Sequence, residues 1–259
     1  MKLINIQNFD VLELKIYHTM RDNAFDGLNS FIADSPKVVN ILLESNLEIK
    51  SILATKEYYD KYEELIKTKN IPNLYLATKK QMQSIVGHKI HHNCMAHGIR
   101  PKEFSLDQLD DNILMLDAIT STENIGSIAR SAAALGVNSY LTPSNAPHPY
   151  ARRALRVSMG HVSKLKISIY DDIFQTIAKL KQNGYKIFAA EVTQNSIELK
   201  NVNTPTKWVL LMGHEGKGLR KEVLDVCDVV VSIEMQKDVR SLNVAVASSI
   251  MMYQFKKIV

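Results

Sequence analysis

Residues 210–219, LLMGHEGKGL, join a short apolar segment directly to a loop that contains three glycines. Glycine permits positive φ angles and lets backbone N–H groups approach a ligand closely. The loop is not a Walker loop, because Lys217 precedes Gly218 and no Ser or Thr follows. Its spacing, G-x-x-G-x-G, also differs from the dinucleotide-binding G-x-G-x-x-G, and Glu215 lies within it. Taken alone, the segment predicts either a ligand-binding loop at the end of a strand or a tight turn.

Predicted strands and helices alternate on both sides of this loop. In residues 111–259 the predicted strands are 112–117, 137–141, 164–169, 186–190, 208–212 and 229–233, and the predicted helices are 124–135, 171–183 and 241–256. Such alternation is typical of an α/β fold with a parallel-rich sheet covered by helices. In folds of this kind, ligands bind at the carboxyl ends of the strands.

The preceding part of the chain has a shorter pattern of the same kind. It predicts helices at 35–47, 56–69 and 79–87, the first with Ser35 as N-cap, and strands at 49–54 and 73–77. These elements predict a small α/β unit. Residues 97–101 and the polar stretch after them predict a linker. We therefore place a domain boundary near residue 105, with a first domain at 1–105 and a second at 106–259.

Composition excludes several classes of protein. The chain has 259 residues with 46% hydrophobic and 23% charged side chains, which excludes a mainly disordered chain. No apolar run approaches the roughly 18 residues of a membrane helix, and the first residues lack the features of a signal peptide. Cys94 and Cys227 give no disulfide framework, so we predict a cytoplasmic protein. The net charge is +5, and the whole excess lies in residues 111–259, which favours a polyanionic partner.

Two groups of polar residues stand out in the second part. Arg152, Arg153 and Arg156 place three guanidinium groups within five residues. Such a group suits phosphate oxygens, although arginine triplets also occur on solvated helix faces. Ser241 and Asn243 open the last predicted helix, whose N-terminal N–H groups favour an anionic ligand. Alternatively, Ser241 serves only as the N-cap of that helix.

A third group lies in the helix predicted at 124–135. Asn124 opens that helix, and Arg130 lies among small apolar neighbours, where it needs a partner or a polyanion. Together, the three segments resemble the signature of the SpoU (TrmH-like) family of RNA ribose 2′-O-methyltransferases, in the SPOUT superfamily. The matching residues are Asn124-Ile125-Gly126 through Arg130 with Gly136-Val137, then Gly213 through Leu219, and finally Ile233-Glu234-Met235 with Ser241-Leu242-Asn243-Val244.

The resemblance implies a fold that composition does not show. SPOUT domains thread the C-terminal chain into a deep trefoil knot, an exception to the rule against knots. The first domain is similar to the L30e-like substrate-binding domain found in the same family. The resemblance further implies S-adenosylmethionine (SAM) as cofactor, a homodimer, and RNA as substrate. An L30e-like domain favours ribosomal RNA over tRNA, by analogy.

The resemblance also implies roles for single residues. The implied cofactor-binding residues are Gly213, Gly218, Ile233, Met235, Leu242 and Asn243. The implied catalytic residues are Arg130, Asn124, Glu215, Ser241 and Asn243, with Arg130 reaching the active site that a partner subunit completes. In this setting Arg152, Arg153 and Arg156 are predicted RNA contacts. The chain departs from the family at Glu234, where the family usually has Pro, which changes backbone stiffness beside the pocket.

Two alternatives belong to other functional classes. The segment 87–98 has four histidines, at 88, 91, 92 and 97, and Cys94, which are potential zinc ligands. Their spacing matches no common zinc motif, so we predict no metal and prefer a role at the domain junction or facing RNA. The second alternative is a catalytically inactive RNA-binding protein that assists ribosome assembly.

Overall fold

The computed structural model describes residues 1–6, 12–19, 29–239 and 241–256. Its strands and helices begin with β1 (Ile4–Asn5), α1 (Leu12–Thr19), β2 (Ser30–Asp34), α2 (Pro36–Glu44), β3 (Glu48–Ala54), α3 (Lys56–Lys67), β4 (Asn73–Leu76), α4 (Lys79–Val86) and β5 (Cys94–Ile99). They continue with β6 (Asn112–Leu116), α5 (Thr122–Ala134), β7 (Ser139–Pro143), α6 (Arg152–Val157), β8 (Lys166–Tyr170), α7 (Ile173–Gln182), β9 (Lys186–Ala190), β10 (Ile197–Glu198), β11 (Trp208–Met212), α8 (Lys221–Asp225), β12 (Val229–Ser232) and α9 (Val244–Lys256).

These elements form two compact units. The first comprises Met1–Lys102 together with Tyr150–Ser163, and the second comprises Glu103–Pro149 together with Lys164–Val259. The predicted division at residue 105 assigned the segment Tyr150–Ser163 to the second domain, and this assignment is wrong. The segment packs into the first unit because α6 lies against β2 and buries Ala154 and Leu155.

The first unit is built on a five-stranded mixed sheet with the strand order β1-β4-β3-β5-β2. Strands β1, β4 and β3 are parallel, whereas β5 is antiparallel to both of its neighbours. The predicted linker at 97–101 is therefore wrong in its first part, since His97 lies in an interior strand and its Nε2 is 3.0 Å from Ser30 Oγ. Gly98 is required there because a Cβ would lie 2.4 Å from the ring of Phe31. Ser35 does precede α2, but its side chain makes no capping hydrogen bond.

The second unit has a seven-stranded sheet with the order β10-β12-β9-β11-β6-β7-β8. Every pairing in it is parallel, which confirms the predicted α/β fold with a parallel-rich sheet. The central strand β11 is buried along its whole length, and so is β7, as expected when helices cover a parallel sheet. The trefoil knot stays a prediction. Among the described helices, none is long and apolar enough to cross a membrane, and the cytoplasmic location stays a prediction.

An aromatic cluster fixes the last helix to this sheet. The ring of Phe255, on α9, lies 5.0 Å from that of Phe188 on β9 and 5.2 Å from that of Trp208 on β11, both in edge-on contact. Edge-to-face pairs of this kind add to the free energy gained by burying the rings. Helix α9 follows Ser241 and Leu242, which line the cavity described below, so this packing also fixes the position of that segment.

We expect Phe255→Ala to lower the free energy of unfolding of the second unit by about 3–5 kcal/mol, because it leaves a cavity beside two rings. Urea denaturation followed by the fluorescence of Trp208, the single tryptophan, measures this change. Phe174→Ala is the matched control, since Phe174 is 39% exposed and Phe255 only 3%. The control should lose about 1 kcal/mol or less. Equal losses in the two variants would contradict the role of the cluster.

Candidate functional site

A cavity of about 310 Å³ lies in the second unit, at the carboxyl ends of β9, β11 and β12. This is the edge at which the parallel sheet was predicted to bind a ligand. Seven of the predicted site residues line it, namely Gly213, Glu215, Gly218, Ile233, Met235, Ser241 and Leu242. Its apolar wall is completed by Met212, Val231, Val244 and Met251. The structure thus brings the glycine loop and the segment before α9 together around one space.

The glycine loop folds back on itself at one side of this cavity. The amide of Gly218 donates to the carbonyl of His214 at 2.9 Å. The ring Nδ1 of His214 accepts hydrogen bonds from the amides of Gly216, at 2.9 Å, and Lys217, at 3.3 Å. A Cβ on Gly213 would lie 2.7 Å from the backbone of Gly218, so the close return of the loop requires glycine at that position. His214 was not predicted as a site residue, and its role is to hold the loop.

A second residue that sequence reasoning missed is Glu191, which follows β9 and lines the cavity. Its Oε2 accepts a hydrogen bond from the amide of Leu219 at 2.8 Å, and its Oε1 accepts one from the amide of Val192 at 3.0 Å. Gly218 has a φ of +66°, and a Cβ there would lie 2.0 Å from Glu191 Oε2. A signal was available, because Glu191 is an acidic residue directly after an apolar strand, at the ligand-binding edge.

A chain of hydrogen bonds joins three distant segments beside the cavity. Asn243 Nδ2 donates to Asn124 Oδ1 at 3.1 Å, and Asn124 Nδ2 donates to Glu215 Oε1 at 2.9 Å. The amide of Ser121 also donates to Glu215 Oε1, at 3.4 Å. Three of the five predicted catalytic residues are therefore in direct contact. They lie on α5, in the glycine loop and at the start of α9.

The environment of Glu215 keeps its carboxyl group ionised. Partial burial acts to raise its pKa, but the hydrogen bond from Asn124 and those from nearby backbone amides, including that of Ser121, outweigh burial. The net result is a pKa below the usual value for Glu, so Glu215 acts as a charged acceptor.

The helix caps differ from those predicted at two positions. Helix α5 begins at Thr122, and Ser121 is its N-cap, because the Ser121 side chain accepts from the amide of Asn124. Asn124 therefore lies within the first turn, and its own side chain is directed to Glu215 and Asn243. Similarly, α9 begins at Val244 rather than at 241, and Asn243 Oδ1 accepts from the amides of residues 245 and 246. Ser241, predicted as an alternative N-cap, lines the cavity instead.

The departure at Glu234 does not place a charge in the cavity. Ile233 and Met235 line the cavity, whereas the Glu234 carboxylate lies 3.5 Å from Lys200 Nζ. Hydrogen bonds from the backbone lower the pKa of Glu234, and Lys200 contributes in the same direction. The side chain is thus held in an ion pair with the 3₁₀ turn of Leu199–Asn201.

The structure does not bring Arg130 to this cavity. Arg130 lies on α5, and its exposed side chain makes no hydrogen bond or ion pair with any other residue that the structure describes. Its neighbour Ser131 accepts a hydrogen bond from Ser249 of α9 at 2.8 Å. Arg130 therefore lies at the surface beside α9, and no described group of the same unit pairs with its charge.

The arginine triplet lies in the first unit, on α6. The prediction that the triplet belongs to the second domain is wrong, because α6 packs against β2 of the first unit. Arg152 Nε donates to Asp34 Oδ2 at 2.9 Å, and Arg156 lies 3.9 Å from the same oxygen. Arg153 is half-buried on the same helix. Contact between these arginines and RNA stays a prediction.

The histidine-rich segment 87–98 does not gather metal ligands in the part of the chain described. No group of three or more His, Cys, Asp or Glu side chains there is placed to hold a metal ion. Burial raises the pKa of Cys94, whereas metal ligation requires a thiolate. His97 is also half-buried, and burial lowers its pKa. The segment instead forms the C-cap of α4 at Gly87, a loop and most of β5.

Comparison with known proteins places this arrangement in a family. Residues 111–253 match the model of the SpoU rRNA Methylase family. A Staphylococcus aureus (strain COL) protein named as a TrmH family tRNA/rRNA methyltransferase is 32% identical over 146 residues, which are 56% of this chain and 58% of that protein. The chain thus aligns with little more than half the length of that relative.

Two solved structures share the fold over nearly the whole chain. One is an AdoMet-bound rRNA methyltransferase from Sinorhizobium meliloti, with a TM-score of 0.84, 19% identity and 97% of each chain covered. The other is an RNA 2′-O ribose methyltransferase, with a TM-score of 0.78, 18% identity and 97% of each chain covered. At these identities the likeness concerns the fold. The family model, by contrast, covers more than half of the chain and includes the cavity and the hydrogen-bonded residues beside it, so the chain belongs to the SpoU rRNA methylase family.

Proposed function

We propose that the chain is a SAM-dependent methyltransferase that methylates a ribose 2′-hydroxyl group of RNA, with ribosomal RNA rather than tRNA as its substrate. The observation that carries the proposal is the hydrogen-bonded chain of Asn243, Asn124 and Glu215 at the edge of the cavity. Membership of the SpoU family supports it, as do the AdoMet-bound and 2′-O ribose methyltransferase structures of the same fold. The name of the family and the L30e resemblance of the first domain favour ribosomal RNA.

The residues of the cavity fit SAM chemically. The apolar wall of Met212, Ile233 and Leu242 suits the faces of an adenine ring, and the glycine loop offers backbone groups to polar atoms. SAM carries a sulfonium and an ammonium group, and the carboxylates of Glu191 and Glu215 supply the opposite charge. When bound, SAM supplies an electrophilic methyl group.

The residues of the chain would position the acceptor hydroxyl and stabilise the charge that develops on it. Holding two reactants in line contributes about 7–11 kcal/mol to lowering the barrier, so fixed hydrogen bonds around the ribose are a major contribution. Asn124, Glu215, Ser241 and Asn243 would orient the ribose. A guanidinium holds its protons too tightly to act as a base, so we assign Arg130 to binding phosphate and stabilising the alkoxide.

Because Arg130 lies away from the cavity of its own subunit, the proposal requires a homodimer. Helix α9 carries an exposed apolar stripe, formed by Val246, Ile250 and Tyr253 at helical spacing. The bond between Ser249 and Ser131 sets this stripe beside Arg130. If a second copy packs against the stripe, Arg130 of the first subunit would lie close to the cavity of the second.

The function is tested by mapping 2′-O-methyl groups in ribosomal RNA and tRNA after incubation with the protein and labelled SAM. We expect a methylated position in ribosomal RNA with the native chain, and a rate about 10²–10³-fold lower with Arg130→Ala, because a stabilising charge is lost. SAM binding by calorimetry should persist in this variant. Lys221→Ala, which removes an exposed cation of the second unit, is the control. SAM binding without methylation of any RNA by the native chain would favour the inactive RNA-binding alternative.

The glycine loop allows a sharper test of the cofactor cavity. Gly218→Ala places a Cβ at positive φ and against Glu191, whereas Gly216→Ala meets nothing closer than 3.8 Å. Backbone strain of this kind costs on the order of 1–3 kcal/mol. We expect the SAM affinity of Gly218→Ala to fall about tenfold or more and that of Gly216→Ala to change little. Equal affinities in the two variants would place the cofactor elsewhere.

The dimer is tested at the apolar stripe. Ile250→Asp puts a charge on the proposed interface, and Ile197→Asp on β10 is the control, since the two side chains are 40% and 45% exposed. Light scattering should report a monomer for Ile250→Asp and a dimer for the native chain and the control. Methylation should fall about hundredfold in the monomer, because Arg130 no longer reaches a second cavity. A fully active monomer would refute the shared site.

A further inference from the structure

The first unit has a cavity of its own, of about 140 Å³. It is lined by Asp34 at the end of β2, by Arg152 and Arg156 of α6, and by the loop at 88–92. All of these residues belong to the first unit. Nothing in the proposed methyl transfer uses this cavity.

Asp34 is the feature that gives this cavity a binding character. The residue is only 4% exposed, and its Oδ2 accepts from Arg152 Nε at 2.9 Å. Its Oδ1 is buried and has no hydrogen-bond partner among the residues that the structure describes. A buried acceptor left unpaired costs about 1–3 kcal/mol, and more when it is charged. Because Asp34 lines the cavity, a ligand that donates hydrogen bonds there would satisfy it.

Of the other lining residues that the structure describes, six are basic and two, Ile90 and Met95, are apolar. His88, Lys89, His91 and His92 lie along the loop, and Arg156 lies on α6, while Asp34 is the one acidic residue among the described lining residues. The cavity thus offers a buried acceptor surrounded by groups that favour an anion. A nucleotide has the complementary arrangement, since its base edge can donate hydrogen bonds and its phosphate is negatively charged.

We propose that this cavity binds a guanine base of the substrate RNA, with Asp34 accepting hydrogen bonds from the base and the cations of Lys89 and Arg156 contacting phosphate. The inference rests on the proposed function, since it takes RNA as the substrate. Single-stranded RNA is recognised through bases that leave the stack and bond by their Watson–Crick edges. A carboxylate can accept about four hydrogen bonds, so the contact with Arg152 leaves Asp34 able to accept more.

The choice of guanine follows from the pattern of donors. Guanine presents two adjacent donors, N1–H and the N2 amino group, which match the two oxygens of one carboxylate. Adenine and cytosine present one amino group beside a ring nitrogen that is an acceptor, and that lone pair would face the carboxylate. Uracil presents one N–H between two carbonyl oxygens. Pairing acceptor against acceptor is unfavourable in a buried site, so Asp34 discriminates against these three bases.

The test measures binding of 5′-mononucleotides to the full chain by calorimetry. We expect the native protein to bind guanosine monophosphate about tenfold or more tightly than inosine, adenosine or xanthosine monophosphate. Inosine lacks the N2 amino group, and xanthosine replaces it with a carbonyl oxygen. This comparison needs no variant, so it decides the matter even if substitution at Asp34 prevents folding. Equal binding of the four, or none, would overturn the proposal.

A change of specificity provides the second measurement. Asp34→Asn keeps one acceptor and gains one donor, which matches the N1–H and O2 of xanthine. We expect this variant to lose its preference for guanosine monophosphate and to prefer xanthosine monophosphate. Asp60→Asn, on the exposed face of α3, is the control and should behave as the native chain does. A guanine preference that survives in Asp34→Asn would also overturn the proposal, because Asp34 would then serve only its ion pair with Arg152.

Parallel measurements of SAM binding and of RNA methylation separate this inference from the proposed function. Selective guanine binding without methylation would leave the cavity assigned and refute the enzyme. Methylation without selective guanine binding would support the enzyme and refute the guanine cavity.

Discussion

The hydrogen-bonded chain from Asn243 through Asn124 to Glu215 is the constraint on which the site depends. Its direction is set at one end, because Asn243 Oδ1 accepts from the first amides of α9 and so turns its amino group towards Asn124. Asn124 must then present its own amino group to Glu215, whose lowered pKa keeps it an acceptor. Each orientation thus depends on the one before it, and the loss of any member leaves a polar group without its partner.

The parallel sheet makes this meeting of distant residues possible. Because all its strands run in one direction, the loops after β9, β11 and β12 emerge at a single edge and enclose the cavity. Apolar side chains give the cavity its shape. Glu191, which follows β9, links that strand to the glycine loop through the amide of Leu219. Gly218 is required there by its positive φ, and a Cβ on it would also displace the Glu191 carboxylate that accepts from Leu219.

The two units use carboxylates in different ways. In the second unit, Glu191 and Glu215 have partners from backbone amides and from Asn124, and they fix loops around a cavity with apolar walls. In the first unit, Asp34 Oδ2 pairs with Arg152, whereas Oδ1 has no partner among the described residues, within a largely basic cavity. This difference agrees with the proposed roles of the two cavities, which are cofactor binding in the second unit and substrate recognition in the first.

The sequence by itself determined the fold class and most of the elements of the second unit, because apolar periodicity and glycine positions are local properties. It also predicted that the glycine loop and the segment before α9 meet, and the structure brings both to one cavity. Only the tertiary structure decided that Ser121 and Asn243 cap their helices, that Glu191 faces Gly218 and that Arg152 belongs to the first unit. Each of these depends on contacts between residues far apart in the chain or on a choice between neighbouring polar side chains, and the burial that settles such contacts exists only once the chain has folded.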